Sequence, residues 1–305
     1  MEGAPYNLYR AMQRIPGVEA YWYEARTNPK HIPKADLTVA VDWAEDALGY
    51  GDYIENHPNV YWCSDSHLNE ASWNFRINKA KRFDKVFVSI WSDVEKFKAA
   101  GVKAEWLPYA AEPLTYRSFP HVPGCLCCHP RSCTEPIERI YDIGFMGFFL
   151  HNKSRCEFLD AMIRKFPNHR VMWDQYFEHA AREMASYKVN LNHCHVDATN
   201  MRFFECMAGG NCLLTPHTTD TVEFNAPALI YPSLDGAYEL VRWALDHPEE
   251  REAKGSAARE WVRRGHTYLH RAFRILNLPP PPDSEMDRLI DTWPSVDRNS
   301  PVQGY

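Results

Sequence analysis

Residue types that bind phosphate and hydroxyl groups stand close together in the segment NMRFFECMAGG, where Glu205 follows Arg202 by three positions. Thr199 or Asn200 can cap a helix that begins here and ends at the glycines 209–210, about two to three turns later. Both side chains would share one helix face near the end where backbone N–H groups lack partners. Such a corner can hold a diphosphate on the arginine and a ribose on the acid. The alternative is an ion pair on a solvated helix face.

A second candidate turn follows the apolar run YDIGFM, which starts at residue 141. Gly144 and Gly147 would let backbone N–H groups approach an anion there. Lys153 or Arg155, where the next helix begins, is the expected second cation. The alternative is a strand-to-helix turn that needs small residues only for packing.

Short apolar runs alternate with one-faced helix patterns on both sides of these candidates. The runs in the first half are LTVAV, DKVFVSI and AEWL, and those in the second half are YDIGFM, RVMW, YKVNLN, CLLT and ALIY. Residues 154–166 and 235–247 repeat apolar side chains at helical spacing. This alternation predicts the α/β fold class, with parallel sheets covered by helices in two units.

The boundaries of these units follow from proline and cysteine content. We place the first unit in residues 1–112 and the second in residues 141–278. The connection between them, residues 113–140, carries a Cys-rich insertion, and six of the 22 prolines fall within 108–140. The run PPPP opens a Pro-rich tail, residues 279–305, that could return to the first unit.

Composition excludes several classes of protein. A 305-residue chain that is 45% hydrophobic has ample material for a folded interior, and a net charge of −6 disfavours coating nucleic acid by charge alone. We expect no membrane span, because no stretch approaches the roughly 18 apolar residues that a bilayer requires. An odd count of nine cysteines, several of them in apolar segments, predicts a reducing, cytoplasmic setting.

Several segments, in order along the chain, resemble the CgeB-like glycosyltransferases. They are ADLTVAVD, YWCSDSHLN, FDKVFVS, WLPYAAEP, YKVNLN, NMRFFECMAGGNCLLT, ALIYPSLDGAYELVRWALDHPEER and HTYLHR. The resemblance runs from about residue 35 to about residue 276. It implies the GT-B architecture, in which two Rossmann-like domains face a cleft. The carboxy-terminal domain would hold a nucleotide-sugar donor, and the acceptor would approach from the amino-terminal one.

The resemblance also implies roles for single residues. Arg202 would face the donor diphosphate, and Glu205 would bind the donor ribose. Asp197, eight positions before Glu205, would lie near the transferred sugar or would instead cap a loop. Asn200 and Met201, at the start of the short helix, are further expected donor contacts. Asn192 and Thr215, at strand ends that flank the same site, could contact the nucleotide or merely cap turns.

The segment YWCSDSHLN supplies the candidates on the acceptor side, Asp65 and His67. His67 could contact the sugar or take a proton from the acceptor, since histidine has the side-chain pKa nearest neutrality. The alternative for Asp65, or for Ser66, is to cap a helix that starts near Glu70.

Two sequence features bear on metals. No two aspartates stand two positions apart, so the D-x-D signature by which GT-A enzymes hold a metal is missing, and we expect catalysis to require no cofactor. The segment PGCLCCHPRSC places Cys125, Cys128 and Cys133 at spacings seen in zinc knuckles, which predicts a structural zinc site. A reduced insertion or a redox-sensitive loop is the alternative.

We therefore expect a glycosyltransferase that moves a hexose or pentose from a nucleoside diphosphate, with retention at the anomeric carbon implied by the resemblance alone. Its acceptor would be a small molecule, a glycan, a protein or modified DNA. Seven lysines and arginines in residues 251–274 could serve a polyanionic acceptor such as DNA. A nucleotide-sugar binding protein without turnover is the alternative from another class.

Overall fold

The computed structural model describes most of the chain, in two compact units. The described residues are 3–23, 34–42, 57–64, 70–116, 137–150, 152–173, 175, 177–194 and 196–292. Among them, one unit contains the residues up to Tyr109 together with those from Tyr268 onward, and the other runs from Ala110 to Thr267. Each unit is built on one parallel sheet.

The first unit contains four parallel strands in the order β1-β2-β3-β4. They are β1 (Thr38–Asp42), β2 (Asn59–Cys63), β3 (Lys85–Val88) and β4 (Ala104–Trp106), and the helices are α1 (Ala4–Met12), α2 (Glu70–Ala80) and α3 (Trp91–Ala99). Every residue of β2 is buried. This burial explains why the central strands read as unbroken apolar runs, since helices cover both faces of a parallel sheet.

The second unit contains five parallel strands in the order β6-β5-β7-β8-β9. They are β5 (Tyr141–Met146), β6 (His169–Met172), β7 (Tyr187–Leu191), β8 (Leu213–Pro216) and β9 (Leu229–Tyr231). The helices are α4 (Lys153–Lys165), α5 (Phe177–Ala185), α6 (Met201–Ala208), α7 (Thr219–Phe224), α8 (Leu234–Asp246) and α9 (Pro248–Gly265). Together the two sheets confirm the predicted α/β class.

The apolar stripes of α4 and α8 build the core of this unit. Phe158, Leu159 and Met162 from α4 pack with Ala237 and Val241 from α8 against strands β5, β7, β8 and β9. The helices predicted at 154–166 and 235–247 are thereby confirmed to within one residue at each end. No helix in the described part of the chain combines the length and the apolar character that crossing a bilayer requires.

Two further helices, α10 (Tyr268–Ile275) and α11 (Asp283–Ile290), belong to the first unit. Helix α10 packs against α1. Arg271, only 5% exposed, donates hydrogen bonds to the carbonyls of Pro108 and Tyr109, both at 2.8 Å. The sequence predicts that the second unit extends to residue 278. The structure instead groups α10 with the first, because the buried face of this helix and the Arg271 side chain find their partners there.

Candidate functional site

The strand order of the second sheet marks where a ligand would bind. Strand β5 lies between β6, which follows it in sequence, and β7, so the chain turns in opposite directions after β5 and after β7. In an open parallel sheet this switch point leaves a crevice beyond the carboxyl ends of the two strands. The residues that follow Met146 and Leu191 therefore line the expected site.

Gly147, the first residue after β5, has a φ of 142°, a backbone conformation that favours glycine. A Cβ atom placed on Gly147 would lie 4.0 Å from Nη2 of Arg202, so the arginine reaches this turn from α6. Gly144, by contrast, is not part of the turn that the sequence predicted. It lies within β5, where an added Cβ would be 2.1 Å from the ring of Tyr187, so its small size serves packing.

Three predicted polar residues lie together at the ends of β7, β8 and α6. The side chain of Asn200 caps α6 by accepting from the backbone N–H of Phe203 at 3.1 Å, and its amide nitrogen donates to Oδ1 of Asn192 at 3.1 Å. The amide nitrogen of Asn192 donates to Oγ1 of Thr215 at 3.2 Å. These bonds fix where α6 begins relative to the sheet. Met201 is the first residue of that helix and is half-buried.

Arg202 and Glu205 form an ion pair on α6, with Nη1 3.3 Å from Oε2. The side chains are 20% and 6% exposed, so the pair does not lie on a solvated helix face. Nη1 also contacts Sδ of Met184 at 3.6 Å, while Nε is buried and has no hydrogen-bond partner among the described residues. The guanidinium therefore has donor capacity left for a phosphate, which can accept two such bonds.

The two other predicted cations differ in their surroundings. Arg155 donates from Nε to the carbonyl of His193 at 2.9 Å and from Nη1 to the carbonyl of Phe148, so it joins the turns after β5 and β7. Burial, and secondarily the nearby charge of Arg202, lowers the pKa of Arg155 below its usual value. Lys153 lies at the surface. Its side chain is 90% exposed, and its Nζ lies 3.7 Å from Glu157 on the same helix.

Asp197 is exposed and lies between β7 and α6. Its carboxylate accepts from the backbone N–H of Thr219 at 2.7 Å and from the Thr219 hydroxyl, at the first residue of α7. This is the capping arrangement that the sequence left open as the alternative. A second aspartate, Asp220, is fully buried and accepts from the backbone N–H and the hydroxyl of Thr199 at 3.0 and 3.1 Å. Both carboxylates hold the loop that leads into α6.

Three residues that the sequence did not predict for the site lie at the same sheet edge. Oγ of Ser154 lies 2.9 Å from Nε2 of His193, and Nδ1 of His193 lies 2.8 Å from the hydroxyl oxygen of Tyr231. His193 is the second residue after β7, a place where a polar side chain could have been noted from the end of the apolar run. Nothing in the local sequence signals Tyr231, because it closes a different strand and meets His193 only in the folded sheet.

The remaining predicted residues lie outside the described part of the chain. These are Asp65 and His67, proposed for the acceptor side, and the cysteines proposed for zinc: Cys125, Cys128 and Cys133. Among the described residues, no group of three or more His, Cys, Asp or Glu side chains is arranged to hold a metal ion. The zinc prediction therefore stays untested.

Comparison with known proteins gives one family match, which falls mainly in the second unit. Residues 155–277 match a family model described as "Glycosyl transferase-like", which covers Arg202, Glu205 and the helices that follow. Among curated protein sequences, none matches this chain significantly.

Several solved structures share the fold. HepE of Anabaena, in complex with UDP-glucose, is 12% identical, with a TM-score of 0.53 over 72% of this chain and 71% of that one. Sucrose-phosphate synthase of Thermosynechococcus elongatus is 10% identical, with a TM-score of 0.53 over 73% of this chain and 67% of that one. Trehalose 6-phosphate synthase of Burkholderia multivorans is 12% identical, with a TM-score of 0.50 over 72% and 66%.

These neighbours confirm the predicted GT-B fold class, since they share two parallel α/β units with this chain. The family match adds the enzyme class, and it covers the part of the chain that carries the candidate site. The family match over residues 155–277 and the shared GT-B fold together support a glycosyltransferase.

Proposed function

We propose that this enzyme transfers a sugar from a nucleoside diphosphate donor bound at the carboxyl ends of β5, β7 and β8, and that it is CgeB-like. The observation that carries the proposal is the Arg202 and Glu205 pair, which lies beside the Gly147 turn at the switch point. HepE, which shares the fold, was crystallised with UDP-glucose, so a uridine diphosphate sugar is the first donor to test.

The two residues of the pair suit different parts of the donor. Arg202 carries the positive charge and a guanidinium that is still partly exposed, which suit the diphosphate. Glu205 offers a buried carboxylate, which can accept hydrogen bonds from the two ribose hydroxyls. Their mutual ion pair keeps both side chains in place before the donor arrives.

The reaction that fits this site breaks the bond between the anomeric carbon and the diphosphate oxygen and forms a bond from the same carbon to the oxygen of an acceptor hydroxyl, whose proton passes to the departing diphosphate. Negative charge develops on the leaving diphosphate, and a guanidinium beside it stabilises that charge. We infer that Arg202 serves this purpose without a metal, in keeping with the missing D-x-D signature. Retention of the anomeric configuration is part of the proposal and rests on the resemblance.

The proposed acceptor is not a polyanion held by residues 251–274. Arg251 is buried and donates to the carbonyl of Ala244 at 3.0 Å, and Arg271 is bound to two carbonyls. Arg264 pairs with Glu260 and Arg274 pairs with Glu105. Two of the seven basic residues counted in the sequence are therefore buried and two more are in half-exposed ion pairs, which weakens the DNA alternative. The described cysteines are free thiols, which supports the predicted cytoplasmic setting.

Thermal stabilisation by UDP-, ADP-, GDP- and dTDP-sugars tests the donor site, and release of nucleoside diphosphate without acceptor tests turnover. We expect one donor class to raise the melting temperature of the wild type and to be hydrolysed slowly. Arg202→Ala should abolish both effects. Arg242→Ala, which removes an exposed arginine from α8, is the matched control. Stabilisation without any release of nucleoside diphosphate would instead favour the non-catalytic binding protein.

A further inference from the structure

A hydrogen-bonded chain of three side chains runs from the exposed Ser154 to the buried Tyr231, with His193 between them. It lies at the sheet edge that carries the proposed donor site, at the ends of β7 and β9 and the start of α4. Arg155, the residue after Ser154, bonds the backbone carbonyl of His193 at 2.9 Å and lies close enough to Arg202 for the two charges to interact.

Tyr231 determines which nitrogen of His193 carries the proton. Its single hydroxyl proton has two acceptors within reach, Nδ1 of His193 at 2.8 Å and the carbonyl of Asn192 at 3.5 Å. The shorter bond is the stronger one. Burial raises the pKa of Tyr231, so the phenol keeps its proton. We infer that Tyr231 donates to Nδ1 and that the imidazole proton resides on Nε2, which is one of the two assignments that these distances allow.

With its proton on Nε2, His193 donates to Oγ of Ser154 at 2.9 Å. A serine hydroxyl that accepts from an imidazole directs its own proton elsewhere. The imidazole cannot easily rotate out of this arrangement, because it stacks on Phe158 with centroids 4.6 Å apart and planes 18° apart. Phe158 stacks in turn on Tyr231, at 5.2 Å and 5°.

We propose that Ser154 donates a hydrogen bond to the diphosphate of the donor, and that His193 and Tyr231 are positioning residues that hold its hydroxyl in the donating orientation. This inference rests on the proposed function and adds a neutral donor to the two arginines. Only Ser154 touches the ligand. His193 and Tyr231 act through it.

The first experiment requires no ligand. Nitrogen chemical shifts of the His193 imidazole in the free wild-type protein should show the Nε2-protonated tautomer. Tyr231→Phe, which keeps the ring stack and removes the hydroxyl, should produce a mixture of both tautomers. An Nδ1-protonated ring in the wild type would overturn the positioning roles.

The second experiment measures the affinity for UDP, ADP, GDP and dTDP by calorimetry. For the diphosphate that the wild type binds best, Ser154→Ala should weaken binding about tenfold, as expected for one hydrogen bond to a charged group. Tyr231→Phe should weaken it about threefold, and the double variant should bind no more weakly than Ser154→Ala alone. His193→Gln, which keeps a donor near the Nε2 position, should bind more tightly than His193→Ala.

Ser256→Ala on an exposed face of α9 and Tyr238→Phe on α8 remove the same groups away from the site and should leave affinity unchanged. Wild-type binding with no loss in Ser154→Ala overturns this inference and leaves the proposed function intact. A wild type that binds none of the four diphosphates overturns both. Additive losses in the double variant would show that Tyr231 does not act through Ser154.

Discussion

Nη1 of Arg202 lies 3.3 Å from Oε2 of Glu205, and the two side chains share one face of α6 with only 20% and 6% of their surfaces exposed. A buried pair of this kind has two separable consequences for a nucleotide. The arginine contributes to binding of the phosphates, whereas the glutamate contributes only where a ribose is present.

Glu205→Gln tests this division of labour. The variant should bind the preferred nucleoside diphosphate about tenfold or more weakly, because an amide replaces the charged acceptor of the ribose hydroxyls. Its affinity for inorganic pyrophosphate should be unchanged or higher, since Arg202 loses its internal partner. Glu239→Gln, on an exposed part of α8, is the control. Calorimetry with both ligands measures the outcome, and an equal loss for both would contradict the assignment.

Gly147→Ala should destabilise the protein and weaken the donor site together. The φ of 142° at this position strains any residue with a Cβ, at a cost of about 1–3 kcal/mol. The added methyl group would also lie 4.0 Å from Nη2 of Arg202. Urea unfolding and nucleotide binding measure the two effects. Gly265→Ala, where a Cβ meets no atom within 4 Å, should change the unfolding free energy by about 1 kcal/mol or less.

Gly144→Ala should cost stability without changing donor affinity. Its Cβ would lie 2.1 Å from the Tyr187 ring, so the strand or the ring must move, at a cost of about 1–3 kcal/mol. Because Gly144 lies inside β5, the folded fraction should bind nucleotide as the wild type does. A specific loss of affinity in fully folded protein would restore the anion-binding role that the sequence suggested.

These two glycines show where sequence reasoning succeeds and where it stops. The apolar run YDIGFM correctly predicts β5, because strands of a buried parallel sheet are apolar throughout. The same run cannot show that Gly144 faces Tyr187, since that contact depends on the register of β5 against β7. Gly147 is recognisable as a turn residue because it follows the run directly.

Some residues of the candidate site can likewise be predicted from the sequence and others cannot. Arg202, Glu205 and the Asn200 cap are readable because helix spacing and capping are local rules. The bond from Asn192 to Thr215 agrees with the expectation that strand ends flank one site. The capping of α7 by Asp197 and the bond between His193 and Tyr231 join residues 22 and 38 positions apart, and no local pattern encodes such pairs.

Arg271→Met should be among the more damaging substitutions in the first unit. The side chain is 5% exposed and bonds two carbonyls at 2.8 Å, so its loss leaves buried acceptors unsatisfied, at about 1–3 kcal/mol each. Arg274→Met on the same helix removes a half-exposed pair with Glu105 and should cost about 1 kcal/mol or less. Chemical unfolding compares the two, and equal losses would show that the Arg271 bonds contribute little.

Buried thiols should make the protein lose stability at alkaline pH. Burial raises the pKa of Cys212 from 9.0 to about 11 and that of Cys194 from 9.0 to about 12, and it raises the pKa of Cys206 further. The unfolded chain therefore releases these protons first. The stabilisation is fully present below about pH 9 and is lost as the pH rises through the folded values.

Between those limits each thiol should lower the unfolding free energy by about 1.4 kcal/mol per pH unit. Urea unfolding between pH 8 and 10.5 should show the free energy level at first and then falling. Cys212→Ala removes one of the ionising groups. Above pH 9 the unfolding free energy of this variant should therefore fall less steeply with pH than that of the wild type, by about 1.4 kcal/mol per pH unit, even if the variant is less stable at pH 8. An unchanged slope would mean that the thiol is ionised in the folded protein, and hence that the region around β8 admits water.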